Sequence, residues 1–251
     1  MIATDRSSPA DLVASTLMPV TYAVHDHVAV ITFDDGKANV YTHDVLASLS
    51  ESLDRAESDP GATAVLLLGR PGRFSAGFDL PTMTASAESM RALVSSGGRF
   101  VARLLLEPLP VVAACTGHAL AAGALVLLAA DYRIGAAGEW KIGLNEVAIG
   151  MALPVWAIEL ARYRMPASEF DQIVLGQTGG PEEAKAAGFL DRVVAPEDLV
   201  GEATAAAVNL AALRTGAVRA TKTRARASTA HRMLAGMDED LASLSVPDAP
   251  A

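Results

Sequence analysis

Glu146 is the side chain whose surroundings point most directly to chemistry. It stands in the run Lys141–Pro154, KIGLNEVAIGMALP, between Leu144 and Ile149, with Lys141 the one cation nearby. A carboxylate buried in such a run is costly to keep ionised, so its pKa is pushed toward neutrality, the range in which a general base works. Asn145-Glu146 also fits a helix start, where an acid is favoured by the dipole. Two small-residue stretches offer the complementary chemistry. Gly117, Ala119, Ala121, Ala122 and Gly123 leave little side chain over the start of an apolar helix, and Phe74-Ser75-Ala76-Gly77-Phe78 follows a buried strand. Both expose backbone N–H groups. At a helix start these lack intrahelical partners, and together with the dipole they can hold a negative oxygen. Close packing of helix on strand accounts for the same small residues.

The elements that must position these groups follow from hydrophobic periodicity. Val111–Cys115 reads as a buried strand, Thr116–Ala122 as a tight turn, Gly123–Ala130 as a short apolar helix, and a further strand begins near Asp131. Upstream, Val28–Phe33 and Ala64–Leu68 read as strands. From Thr42 to Ala56, Val45, Leu46, Leu49 and Leu53 form one helical face. A helix over Glu88–Leu106 is expected to break at Gly97-Gly98 and to form a mobile wall of a ligand pocket; Pro108 and Pro110 stop it. Strand and helix alternate, and the strands are apolar runs, which is the pattern of a parallel α/β fold. The expected organisation is a core over 1–195, with a loose arm at 1–18, and a C-terminal helical segment over 196–251 that runs helical to about Leu244 before the tail VPDAPA.

Composition narrows the function classes. With 251 residues, 51% of them hydrophobic, the chain can bury a large core. The single Cys115 excludes an intramolecular disulfide and a cysteine-rich metal site, and it suits a reducing, cytoplasmic setting. The N-terminal residues resemble neither a secretory nor a lipidation signal, and no stretch reaches the roughly 20 apolar residues of a membrane helix. A net charge of −9 argues against nucleic acid as a partner. His25 and His27 are too few for a metal site. Ser75, His118 and Asp79 do not make a hydrolytic triad, because no G-x-S-x-G elbow is present. Trp140 and Trp156 read as core or subunit-contact residues.

Four segments in order carry a resemblance. FSAGFDL (Phe74–Leu80), GHALAAGALVLLAADYRI (Gly117–Ile134), IGLNEVAIGMALP (Ile142–Pro154) and GGPEEAKAAGFLDRVV (Gly179–Val194) resemble the successive signatures of the crotonase (enoyl-CoA hydratase/isomerase) superfamily. The similarity runs from about Val28 to Arg226. It implies a crotonase-like α/β spiral of ββα units with a C-terminal helical segment, an acyl-CoA thioester substrate and no separate cofactor, since coenzyme A is part of the substrate. It also implies an oxyanion hole made by the backbone N–H groups of Phe78 and Ala122, the backbone of Ala76 beside the adenine of CoA, and a homotrimer or a hexamer.

The resemblance also ranks the chemistries. Hydratases of the family carry one glutamate at the position matching Glu146 and a second just after the glycine-rich turn, where this chain has Leu125. One carboxylate suits a proton shuttle, so Leu125 and Glu146, with IGLNE and Pro154-Val155-Trp156, look most like the mitochondrial-type Δ3,Δ2-enoyl-CoA isomerases. A hydratase or other CoA lyase would need a second polar group, for which Glu139 and His118 are candidates. A non-catalytic binding protein of the same fold is the third reading. Ala121-Ala122 replaces the more usual glycines, and an alanine sits there comfortably only at negative φ. Pro81 stands where many hydratases have a CoA-binding lysine, leaving Arg70, Arg73, Arg219, Lys222, Arg224 and Arg226 as candidates for the phosphates. Arg219, Lys222 and Arg226 share a helical face, which also reads as a solvated basic surface.

Overall fold

A computed structural model describes residues 19–246, so the arm expected at 1–18 and the tail from 247 onward lie outside the described residues. The chain opens with an antiparallel hairpin of β1 (Val20–His25) and β2 (Val28–Phe33). Asp26 and His27, both at positive φ, make the two-residue turn that matches strand twist. From β2 onward one unit repeats, with a strand in a large sheet, a strand in a small sheet, and then helix. The first unit is β2, β3 (Val40–Tyr41) and α1 (His43–Ser58). The second is β4 (Ala64–Leu68), β5 (Gly72–Ser75) with the short β6 (Gly77–Phe78), then α2 (Leu80–Ala85) and α3 (Ala87–Leu105). The third is β7 (Val111–Cys115), β8 (Gly117–Leu120) and α4 (Ala122–Ala129). The fourth is β9 (Tyr132–Ala136), β10 (Ile142–Gly143), a 3-10 turn at Val147–Ile149 and α5 (Val155–Arg164). There follow α6 (Ala167–Val174), β11 (Thr178–Gly179), α7 (Pro181–Ala186), β12 (Arg192–Val194) and the helices α8 (Leu199–Ala211), α9 (Thr215–Leu234) and α10 (Met237–Ala242).

The large sheet has the order β1-β2-β4-β7-β9-β12, parallel from β2 on, and the described residues also form two small sheets, one of four strands in the order β11-β10-β8-β5 and one of two, β3-β6. Strand pleating sends alternate residues to opposite faces. Val65 and Leu67 of β4 join the main core with α1, α3 and α4, whereas Ala64 and Leu66 face the second core, which α8 closes with Leu199, Ala203 and Ala207. Both faces of the sheet are therefore dry, which is why its strands read as unbroken apolar runs. Side-chain caps set the helix starts: Thr42 Oγ1 accepts from Val45 N–H at 3.2 Å, and Ser86 Oγ from Ser89 N–H at 3.0 Å.

Two local expectations are corrected. The stretch read as one tight turn holds strand β8, because Gly117 and Ala119 fit between β5 and β10, and only Ala121 turns the chain into α4. Helix α3 runs through Gly97-Gly98 without a break.

Candidate active site

A cavity of about 650 Å³ opens between the two small-residue loops, α3 and the segment after β10. Val40, Met83, Val94, Leu125, Met151 and Trp156 make its walls apolar, and Ala76, Phe78, Ala121, Asn145 and Glu146 also line it. Such a lining suits an apolar ligand oriented by a few polar groups.

The loop donors arise from strand and helix ends. β3 pairs only with β6, Tyr41 stands opposite Phe78, and Asp79 N–H donates to Tyr41 O at 3.1 Å. In a parallel pair the bonds go to the residues flanking the one opposite, so the N–H of Phe78 points off the free edge of β6. Ala122 is the first residue of α4, where an N–H has no intrahelical acceptor. The loops touch: a Cβ on Gly77 would lie 3.4 Å from Ala122 N, and Gly77 holds φ +97°. The strain expected from the paired alanines falls on Ala121, at φ 50° and ψ −123°, while Ala122 is helical.

A network behind the loop escaped the sequence reading. Asn39 is fully buried at φ 54° and donates from Nδ2 to the carbonyls of Phe33 (2.7 Å), Arg73 and Phe74 (both 3.3 Å). Ser75 Oγ donates to Asn39 O at 2.7 Å and accepts from Gly77 N–H at 3.1 Å. These bonds set the course of the chain just before Phe78. The one local signal is that asparagine tolerates positive φ after a Gly-containing turn.

Glu146 sits at the N-cap position of the 3-10 turn, but its side chain makes no cap bond. It is 6% exposed, and its Oε2 has no hydrogen-bond partner. Burial pushes its pKa up to about 7, with only its own backbone N–H pulling the other way. Leu125, 1% exposed, lines the same cavity. Asn145 Oδ1 is likewise buried without a partner.

Other candidates lie elsewhere. Asp79 caps α2 through Thr82 N–H at 3.0 Å, and His118 Nδ1 accepts from Lys141 N–H at 3.0 Å, so Ser75, His118 and Asp79 are engaged separately. Neither Glu139 nor His118 lines the cavity. Trp140 donates from Nε1 to Ala137 O, whereas Trp156 is a core residue and a cavity wall at once. Arg70 pairs with Asp34 at 3.3 Å and donates to Lys37 O. Arg73 is exposed opposite His118, whose pKa is lowered by burial and then by Arg73 and Lys141. Neither arginine lines the cavity. Lys222 is buried, and its Nζ donates to Asp131 Oδ2 at 2.6 Å and to Leu109 O at 2.8 Å. Arg226 is buried beside it against Asp131 Oδ1 at 2.6 Å. Both cations are thus paired with Asp131 inside the fold and do not form a solvated basic face, while Arg219 and Arg224 are exposed.

Both the sequence and the fold match known proteins. The family model for enoyl-CoA hydratase/isomerase matches residues 23–246. The human mitochondrial enoyl-CoA delta isomerase 1 is 32% identical over 218 residues, 85% of this chain and 72% of its own. A solved enoyl-CoA hydratase/isomerase family protein from Pseudomonas syringae superposes with a TM-score of 0.87 at 43% identity, covering 90% of this chain and 97% of that one. An enoyl-CoA hydratase from Mycobacterium marinum gives a TM-score of 0.85 at 40% identity, covering 91% and 100%. The repeated strand-strand-helix units are thus the crotonase fold, and the chain belongs to the enoyl-CoA hydratase/isomerase family.

Proposed function

We propose that the protein is a Δ3,Δ2-enoyl-CoA isomerase with Glu146 as its single acid/base. The observation that carries this reading is that Glu146 is the one carboxylate, among the described residues, that lines the cavity; Leu125, where the family resemblance puts a second, lines it as an apolar side chain. The thioester oxygen of a 3-enoyl-CoA rests between the N–H groups of Phe78 and Ala122, with Ala76 on the cavity wall beside them. The Glu146 carboxylate takes a proton from C2, and the electrons of that C–H bond delocalise into a dienolate whose oxygen the two N–H groups stabilise. The protonated Glu146 then returns the proton at C4. The double bond moves to C2–C3 and nothing is added or lost. A pKa of about 7 suits both half-steps near neutral pH.

A hydratase would need a second polar group to hold water. Asn145 Oδ1, buried and unpartnered on the same cavity, is the one that favours this alternative. The test is a paired assay with a 3-enoyl-CoA and a trans-2-enoyl-CoA, following conjugated thioester absorbance and product mass. Conjugation from the 3-enoyl substrate without gain of water is the expected result. Water gained by the 2-enoyl substrate overturns it in favour of a hydratase, and silence with both favours a non-catalytic acyl-CoA binder.

A further inference from the structure

Helix α3 puts two adjacent glycines in the middle of its inward stripe, Val94, Gly97, Gly98 and Val101, although glycine is the poorest helix former after proline. At Gly201 in α8 and Gly216 in α9, a Cβ would meet nothing within 4 Å. At Gly97 and Gly98 the space is taken. A Cβ on Gly97 would overlap the ring of Phe78, and one on Gly98 would lie 3.0 Å from Trp156 Cε2 and Nε1 and 2.9 Å from Met237 Cε. Phe78 and Trp156 are both walls of the cavity, and Val94, on the turn before the glycines, lines it too. The rings lie flush with the helix only because no side chain separates them from it.

We infer that Gly97 and Gly98 determine the acyl-chain capacity of the site by seating Phe78 and Trp156 against α3. The occupant is an unsubstituted aliphatic acyl chain. The walls from Phe78 past Val94, Met83 and Leu125 to Trp156 carry no charge, and the free Nε1 of Trp156 lies close against α3. A substituent at either glycine moves a ring into the chain's path. The inference rests on the acyl-CoA reading above but not on the reaction catalysed.

The experiment measures binding of saturated acyl-CoAs by calorimetry, comparing hexanoyl-CoA with dodecanoyl-CoA for the wild type, Gly97→Ala, Gly98→Ala and the control Gly201→Ala. In the wild type and the control, affinity rises with chain length, by up to about fourfold per methylene. Crowding at the seats removes at least about tenfold of the dodecanoyl-CoA affinity, leaving hexanoyl-CoA within about threefold. An unchanged chain-length dependence, or equal loss at both lengths, overturns the inference. If an alanine variant does not fold, Trp156→Leu decides: a shift of about tenfold or more in the dodecanoyl-to-hexanoyl ratio supports the inference, and an unchanged ratio overturns it. A wild type that binds with this chain-length dependence yet turns over no enoyl-CoA defeats the isomerase proposal alone, while one that binds no acyl-CoA defeats both.

Discussion

Leu125 and Glu146 line one cavity from different elements. Leu125 comes from α4, where its N–H closes the first turn on Ala121 O at 3.1 Å, and Glu146 comes from the shoulder of the 3-10 turn after β10. With an apolar side chain at position 125, Glu146 is the one carboxylate on the cavity among the described residues, and burial holds its pKa at about 7. Leu125→Glu should therefore cost stability, because a second carboxylate enters the same dry space. Isomerisation should fall at least about tenfold, and water addition to a trans-2-enoyl-CoA should appear. Product mass distinguishes the two reactions, and loss of the first without gain of the second would mean that a second carboxylate does not suffice for hydration.

Glu146→Gln should lower turnover by about a thousandfold while leaving acyl-CoA binding within a few fold. The wild-type kcat/KM should rise with pH along an acid limb centred near 7, since the base must be ionised.

The same substitution has a stability signature. The folded-state pKa of Glu146, about 7, is raised from the ordinary value of 4.5, so the folded protein holds this proton more tightly than the unfolded chain. That stabilising contribution is complete below about pH 4.5 and is lost as pH rises through about 7. Glu146→Gln should accordingly be more stable than wild type above pH about 8, by up to about 3 kcal/mol, with the gap closing in acid. Glu107, also held near 7 by burial, is common to both proteins and cancels in the comparison. Thermal melts at several pH values read the difference.

Ala121→Gly should stabilise the fold. The φ of 50° with ψ −123° costs an alanine about 1–3 kcal/mol, and glycine returns about 0.5–1 kcal/mol of that as chain entropy. A net gain of about 1 kcal/mol should appear as a higher urea midpoint.

Asp131 holds Lys222 and Arg226 at 2.6 Å each and accepts from Val111 N–H at 2.6 Å. Asp131→Ala leaves two buried cations unpaired and should cost about 3–5 kcal/mol. Lys222→Met should cost less and leave the KM for acyl-CoA unchanged. A KM raised severalfold in that variant would return Lys222 to phosphate binding.

Local pattern was enough to find the strands Val28–Phe33, Ala64–Leu68 and Val111–Cys115, the inner face of α1, and Glu146 as a carboxylate among apolar neighbours. Burial leaves a short-range period in the chain, and the residues around Glu146 that desolvate it include its sequence neighbours. Tertiary structure decided what depends on distant partners. Gly117–Leu120 is a strand because β5 and β10 flank it. Asn39 matters through carbonyls of Phe33, Arg73 and Phe74. Gly97 and Gly98 are seats for Phe78 and Trp156, not a break. Lys222 and Arg226 looked like a basic helix face until Asp131, from the turn between α4 and β9, was brought against them. A charge or a glycine means one thing in water and another against a particular neighbour, and only the folded chain supplies the neighbour.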